Sequence, residues 1–342
     1  MLKTIIKATL ALGISWFAFN SNTVSANQVQ RADFEVQPIQ NTEQVDKSMN
    51  YFDVRFKPGT TRTLRMRVQN FTDHPITLES TLENGMTQEG GDMKFQTSPT
   101  GLDASLTHPL TTIAKLAQTD HKIHIDPQSA TIVSATVKMP AEEFRGMIAG
   151  GWRFKQILKN KGNQSQSVTS HYAYLMSINL RGKPYRIYPE LKYTETKPML
   201  ADGHPALGIK LRNTQPMIIK DVAFKAVITK KGLFKNKQVF EKEKSSIAPN
   251  STVVLPLSWQ YRTLRPGTYH VNVEVTGQNF WNQLPMTWHF KETFKVTQKG
   301  VRKINQKASK RPINRWGIVS AISGTGLMAA SYGLYRQLRR RG

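Results

Sequence analysis

Two histidines and two aspartates crowd into Asp120-His121-Lys122-Ile123-His124-Ile125-Asp126. If this segment is a strand, its side chains alternate between faces, so His124 and Asp126 share one face and begin a divalent-metal site. No third ligand follows, and solvent-facing histidines on a strand are the commoner meaning of such a pattern. Glu142 and Glu143 are adjacent rather than facing, which suits a charged turn better than two carboxylates working across a glycosidic bond. The chain has no cysteine nucleophile, no Gly-x-Ser-x-Gly elbow and no His-Glu-x-x-His helix. The expectation is therefore no catalytic residue, no metal and no cofactor.

Recognition chemistry is better represented. Flat rings suit both sugar faces and protein hot spots, and Trp152, Phe154, Trp259, Tyr261, Phe280, Trp281 and Trp288 supply them. Trp152 and Trp288 stand inside strand patterns and read as core. Phe280 and Trp281 fall in the turn 277–284, where exposure is expected, and make a candidate binding edge. Leu233 and Phe234 sit at a basic hairpin tip with Lys230, Lys231, Lys235 and Lys237, a grip for an acidic partner or simply a solvated loop.

The whole chain of 342 residues carries a net charge of +25. Setting aside Lys3, Lys7, Arg336, Arg339, Arg340 and Arg341 leaves +19, of which seven charges lie in 298–315 and +12 in 27–297. Outside a cell such a surface meets teichoic acids, acidic glycans and lipid head groups, not nucleic acid. Seven cations beside a bilayer are each drawn to an anionic surface by about 1 kcal/mol before salt screening. The absence of cysteine in an exported chain fits Gram-positive bacteria, and 27–297 is long enough for two domains with ordinary cores.

Both ends point to the membrane. Lys3 and Lys7, an apolar run over 8–19 and the close Val24-Ser25-Ala26 have the layout of a signal peptide over 1–26. At the other end 316–335 is free of charge, and 20 helical residues reach about 30 Å, a bilayer core. Trp316, Tyr332 and Tyr335 stand where interfacial aromatics belong, and Arg336, Arg339, Arg340 and Arg341 follow in an arginine-rich tail over 336–342. The seven cations before the span outnumber the four after it, so charge counting alone would reverse the orientation. The export signal decides: residues 27–315 outside facing the wall, the C-terminus cytoplasmic. Small residues Gly317, Ala321, Gly324 and Ser331 near one helical face favour close helix pairing. Leu284-Pro285-Met286-Thr287-Trp288 has Trp where a wall-sorting signal needs Gly, so anchoring falls to the span.

Between the ends, apolar and polar residues alternate with period two at 64–69, 131–137, 207–211, 253–257 and 269–275, the mark of half-buried strands. Only 110–118 suggests a helix, and a short one. One order of signals occurs twice: Asn70 with Pro75 and then Pro127-Gln128-Ser129, and Asn213 with Pro216 and then Pro249-Asn250-Ser251. The expected fold is all-β, two tandem immunoglobulin-like β-sandwiches over 27–180 and 181–297, then the basic stem 298–315 and one transmembrane helix. Asn70 to Ser129 spans 59 residues and Asn213 to Ser251 only 38, so the first domain holds an insertion of about 20, placed at 83–109. Long loops on a rigid sandwich are where binding sites gather.

Taken in order, these segments resemble the WxL-interacting proteins of Gram-positive bacteria. The first domain is similar in Phe34-Glu35-Val36, Tyr51-Phe52-Asp53-Val54, Pro58-Gly59, Glu83-Asn84-Gly85, Met139-Pro140 and Phe144-Arg145-Gly146-Met147-Ile148-Ala149-Gly150-Gly151-Trp152. The second is similar in Ile247-Ala248-Pro249-Asn250-Ser251, Gly267-Thr268-Tyr269, Trp288-His289-Phe290 and Phe294-Lys295-Val296. No tryptophan here begins a Trp-x-Leu motif, so the chain looks like the companion of WxL proteins rather than one of them. The resemblance implies a noncatalytic anchored protein with a peptidoglycan-binding and a host-binding domain. Its implied partners are peptidoglycan or another anionic wall polymer, WxL-type surface proteins, a host extracellular-matrix protein and the lipid bilayer. Relatives close a short Asn-Gly turn after Glu83, whereas this chain runs on through Met86 to Phe95, which leaves a loop-specific ligand open. The candidate binding residues are Asn84, Gly85, Phe95, Phe234, Phe280 and Trp281. A stand-alone host-matrix adhesin and an assembly chaperone for exported proteins remain as alternatives.

Overall fold

The computed structural model describes residues 32–157, 173–183, 186–232 and 237–311, with Ser331, Tyr332, Arg336 and Arg339. The expected signal peptide, Phe234, and the expected span except Ser331 and Tyr332 lie outside the described residues, as do Arg340 and Arg341 of the tail. Among the described residues no helix is long and apolar enough to cross a membrane.

The first half contributes β1 (Phe34–Ile39), β2 (Phe52–Val54), β3 (Thr61–Asn70), β4 (Ile76–Thr87), β5 (Met93–Gln96), β6 (Ala114–Leu116), β7 (Lys122–Ile125), β8 (Ala130–Lys138), β9 (Met147–Gln156) and β10 (Ala173–Arg181). These form one sheet in the order β1-β3-β8-β6 and another in the order β2-β10-β9-β4-β5, with β7 also paired to β4. Period-two alternation sends Leu64, Met66 and Val68 inward and leaves Arg65 and Arg67 exposed on β3. Facing them from the second sheet are Leu78, Trp152, Phe154 and Ile178, so the two sheets share one core as a β-sandwich. Trp152 is fully buried, and its indole N–H donates to Ser80 Oγ at 2.7 Å, which removes the cost of burying that polar group.

The second half contributes β11 (Leu191–Ala201), β12 (His204–Asn213), β13 (Ile219–Lys230), β14 (Lys237–Ile247), β15 (Ser251–Ser258), β16 (Gly267–Asn279) and β17 (Pro285–Val296). Sheets ordered β11-β12-β15 and β14-β13-β16-β17 close over a core of Leu207, Ile209, Phe224, Val253, Trp259, Tyr269 and their neighbours. Trp288 is partly buried against this core.

The doubled sequence signal has a shared structural cause. Asn70 Nδ2 donates to the carbonyls of His74, Ile125 and Asp126 at 2.9, 3.3 and 3.0 Å, pinning its own turn to the segment entering β8. Asn213 Nδ2 does the same in the second sandwich, reaching the carbonyls of Met217 and Ala248 at 2.8 and 3.0 Å just ahead of β15. Both asparagines are fully buried, and a side-chain amide offers two N–H donors to such a crossing without burying a charge. Gln128 and Asn250, one residue before Ser129 and Ser251, both take positive φ (52° and 45°), so the turns match in conformation as well.

Two expectations differ from the structure. The region 110–118 is α-helical only over Leu110–Ile113, then turns into β6, and Gln118 opens a separate 3-10 turn, Gln118–His121. Residues expected as part of a basic stem instead form a ten-residue helix, Gln298–Lys307, whose Val301 enters the second core. Its helical period is easily overlooked because so few of the ten residues are apolar.

Candidate binding surface and domain junction

The inward glycine of β9, Gly150, makes room for Leu110: a Cβ there would lie 2.3 Å from Leu110 Cδ2 and 2.6 Å from the Glu83 carbonyl. The next glycine faces outward. A Cβ on Gly151 would lie 2.7 Å from Leu175 Cδ1 and 3.1 Å from Phe95 Cδ1, so these two side chains can settle over the strand only because the position is bare. The result is an apolar ledge on the outer face of the second sheet, with Leu175 exposed and Phe95 half-buried. Beside it, Arg153 grips Glu83 with two hydrogen bonds of 2.6 and 2.7 Å. An apolar platform edged by polar groups fits the flat, hydroxyl-fringed face of a sugar ring.

The expected binding residues divide. Phe95 belongs to this ledge. Asn84 is fully buried, its Nδ2 donating to Thr111 Oγ1 at 2.9 Å and its Oδ1 accepting from Thr111 N at 3.0 Å. Gly85, on the same outer face as Glu83, pairs directly with Phe95 under the ledge and is covered, packed so closely on β9 that a Cβ would meet the Ala149 carbonyl at 2.9 Å. No turn forms at Asn84-Gly85, since β4 runs through to Thr87. Phe280, expected on an exposed turn, packs instead on the Met147, Ile187, Met217 and Ile218 cluster, with the cations of Arg181 and Lys220 at 5.5 and 5.4 Å from its ring centroid. Trp281 is 43% exposed and Leu284 45%, the open part of that turn. Tyr332, Arg336 and Arg339 are exposed and helical. His124 Nδ1 lies 3.3 Å from Thr77 Oγ1, and among the described residues no three potential metal ligands gather.

The insertion 83–109, expected as a ligand loop, is largely committed to the second sandwich. Thr87 exchanges two hydrogen bonds across the junction, its N–H to Ser251 Oγ at 2.7 Å and its Oγ1 from Ala248 N at 3.0 Å. The following turn adds Gly90 N to Val254 O and Asp92 N to Ser246 O, at 2.8 and 2.9 Å. Gly91, at φ 96°, sits where a Cβ would be 2.3 Å from Ser245 Oγ and 2.8 Å from Phe224 Cε2, so this turn can approach only with glycine. Burial works against the Asp92 charge, but the hydrogen bond from Lys242 at 2.6 Å and its neighbours hold the carboxyl below its ordinary range.

Asp103 is the centre of the contact. Its side chain is 2% exposed, accepts two hydrogen bonds from Arg212 at 2.7 and 2.6 Å, and takes a third from Thr252 Oγ1 at 2.7 Å. Burial would raise its pKa, yet Arg212, Thr252 and both donors of Ser105 outweigh that and hold it well below the usual carboxylate range. Behind these contacts a cavity of about 690 Å³ opens, lined by Arg145, Arg186, Tyr188, Gln215 and Asn250 among others. The sequence could not single out Asp103 or Arg212, because a residue 109 positions away completes each. Leu175 and Gly151 were within reach, since a Gly-Gly pair inside a strand signals close approach.

Residues 34–156 match the family model described as WxL Interacting Protein, peptidoglycan binding domain, and residues 163–306 match WxL Interacting Protein, host binding domain. No curated protein matches the chain. Among solved structures, the Pseudomonas aeruginosa CupB2 chaperone is similar at 12% identity and TM-score 0.32, covering 69% of this chain and 95% of that one. The Acinetobacter baumannii CsuC-CsuE chaperone-tip adhesion subunit complex is similar at 11% identity and TM-score 0.36, covering 75% and 98%. The E. coli chaperone DraB follows at 15% identity and TM-score 0.28, covering 71% and 93%. Likeness of this degree carries no function to the chain.

Proposed function

Because the chain belongs to the WxL-interacting protein family and carries both of its binding domains, we propose that it is a noncatalytic, membrane-anchored scaffold. It contacts peptidoglycan through the first sandwich, retains WxL-type surface proteins at the wall and offers the second sandwich to host matrix protein. In this reading both sandwiches are immunoglobulin-like; the β11-β12-β15 and β14-β13-β16-β17 orders of the second favour that topology. Residues 27–315 lie outside, the span 316–335 holds the chain in the membrane and the arginine tail stays in the cytoplasm.

The observation that carries the reading is the succession of the two family domains over 34–156 and 163–306 in one chain. The Phe95 and Leu175 ledge is the surface we assign to the glycan strand, with the Glu83 and Arg153 pair supplying polar contacts at its edge. Detergent-solubilised full-length protein bound to isolated peptidoglycan stripped of teichoic acid tests this. The Phe95→Ala, Leu175→Ala variant should bind roughly tenfold more weakly, as expected when an aromatic anchor is removed, with its unfolding temperature little changed. Unchanged retention would move the glycan contact away from the ledge.

A further inference from the structure

The second sandwich has two distinct ends. The junction with the first sandwich is built at one, from the turns after Asn213, Ile247 and Asn279. At the other lie the 201–204 hairpin and the loop 259–266, and the C-terminal helix Gln298–Lys307 is fastened there. Thr297 caps it, Val301 is buried in the core, and Asn305 exchanges hydrogen bonds of 3.1 and 2.9 Å with the N–H and carbonyl of Leu264. Ser309 N then donates to the Gly203 carbonyl at 2.8 Å. The helix is thus fixed to the domain and not a free tether.

With that face held inward, Lys299, Arg302, Lys303 and Lys307 fall three or four residues apart and are all exposed on the opposite face. Lys310 and Arg311 extend the stripe, and none of the six has an ion-pair partner among the described residues. Residues 298–315 contain no acid to offset them. Arg262 and Arg265, exposed on either side of Leu264, enlarge the same basic end, and Tyr261 stands 48% exposed beside them. The charge-free run begins at Trp316, five steps after Arg311, which at about 3.5 Å per residue allows at most roughly 17 Å. If that run crosses the bilayer, Arg311 stays within about 17 Å of the membrane boundary and Lys307, nine steps before Trp316, within about 31 Å, so the helix can reach the head groups but is not forced onto them.

We propose that this end of the second sandwich, with the helix stripe at its centre, docks on anionic phospholipid head groups. The ectodomain then stands on the membrane by its second domain, with the first domain turned toward the wall. The proposal rests on the membrane-anchored reading above, and the two can fail separately.

The chain has no cysteine, so Gln306→Cys, at an exposed position within the stripe, gives one labelling site on the full-length protein. Its dye is read against head-group quenchers in phosphatidylglycerol-containing and pure phosphatidylcholine vesicles. Quenching should be stronger in the anionic vesicles, fall with salt and vanish on joint Lys299→Gln, Arg302→Gln, Lys303→Gln and Lys307→Gln replacement. Each neutralised cation should weaken the contact by roughly fivefold. Those side chains are exposed, and an unchanged melting temperature confirms that the variant folds. Equal quenching in both lipids, with the protein floating on both, would overturn the docking but keep the anchor. No flotation on phosphatidylcholine would overturn the anchor, and the proposal then requires flotation on anionic vesicles alone, lost in the variant. Flotation on neither, or binding to soluble poly(glycerol phosphate) without anionic vesicles, would overturn the docking.

Discussion

Asp103 joins two domains through one carboxylate, so its charge is the residue-scale lever on the whole junction. Asp103→Asn should cost about 2–3 kcal/mol, since Arg212 loses its partner while remaining only a third exposed. The sign of the pH dependence follows from the depressed pKa. A carboxylate held below its unfolded value of about 4 contributes fully above that pH, and the contribution fades as pH falls from there through the folded value. Acid unfolding of the wild type should therefore steepen below about pH 4, and the Asn variant should flatten that limb; matching acid profiles would refute the assignment. Asn84 and Phe95 separate in the opposite sense. Asn84→Ala should lower stability by about 1–3 kcal/mol through the orphaned Thr111 N–H, with wall affinity per folded molecule unchanged. Phe95→Ala should do the reverse.

At the scale of elements, alternation made β3, β8 and β16 legible, because each buries one face and shows the other to water; β12 and β15 kept the apolar alternation of their inner faces, although their outer positions are partly or fully covered. The twin asparagines were legible as a repeat, though their cause, an amide bridging turn and strand, needed the fold. Three features were not legible. The C-terminal helix rests on Val301 and on Asn305 bonding to a loop 41 residues earlier, a contact no local period announces. The insertion 83–109 looks like a loop by composition, yet its polar residues were matched to donors and acceptors in the other domain. Phe280 lies in a turn, as read, but the neighbouring linker at Ile187 and the Arg181 cation cover it. Element packing also predicts that Gly150→Ala, which drives a methyl against Leu110 and the Glu83 carbonyl, destabilises by about 1–3 kcal/mol. Leu110→Ala in the same chain should relieve part of that loss, and strictly additive costs in thermal unfolding would contradict the contact.

For the whole molecule, the junction decides whether two binding domains act as one body. Linked domains move independently unless their contact is extensive. Here backbone pairing at Gly90 and Asp92, the Thr87 exchange, the Asp103 pair and the Phe280 cluster all oppose that motion. Calorimetry of the full chain should show one coupled transition, and Asp103→Asn with Gly91→Val should split it into two. A rigid pair standing on its second domain would present the ledge of Phe95 and Leu175 outward at a fixed height, which a scaffold between membrane and wall requires.

The proposed function turns on specific wall recognition by the first sandwich. It is tested most directly by retention of the detergent-solubilised full-length protein on isolated cell walls across a salt series, with and without a WxL protein. Retention should survive salt, fall with Phe95→Ala and Leu175→Ala, and carry the WxL protein with it. Retention that disappears at moderate salt and ignores the ledge would mean that a basic surface was adhering to anionic polymer, and would rule out specific recognition by the first sandwich.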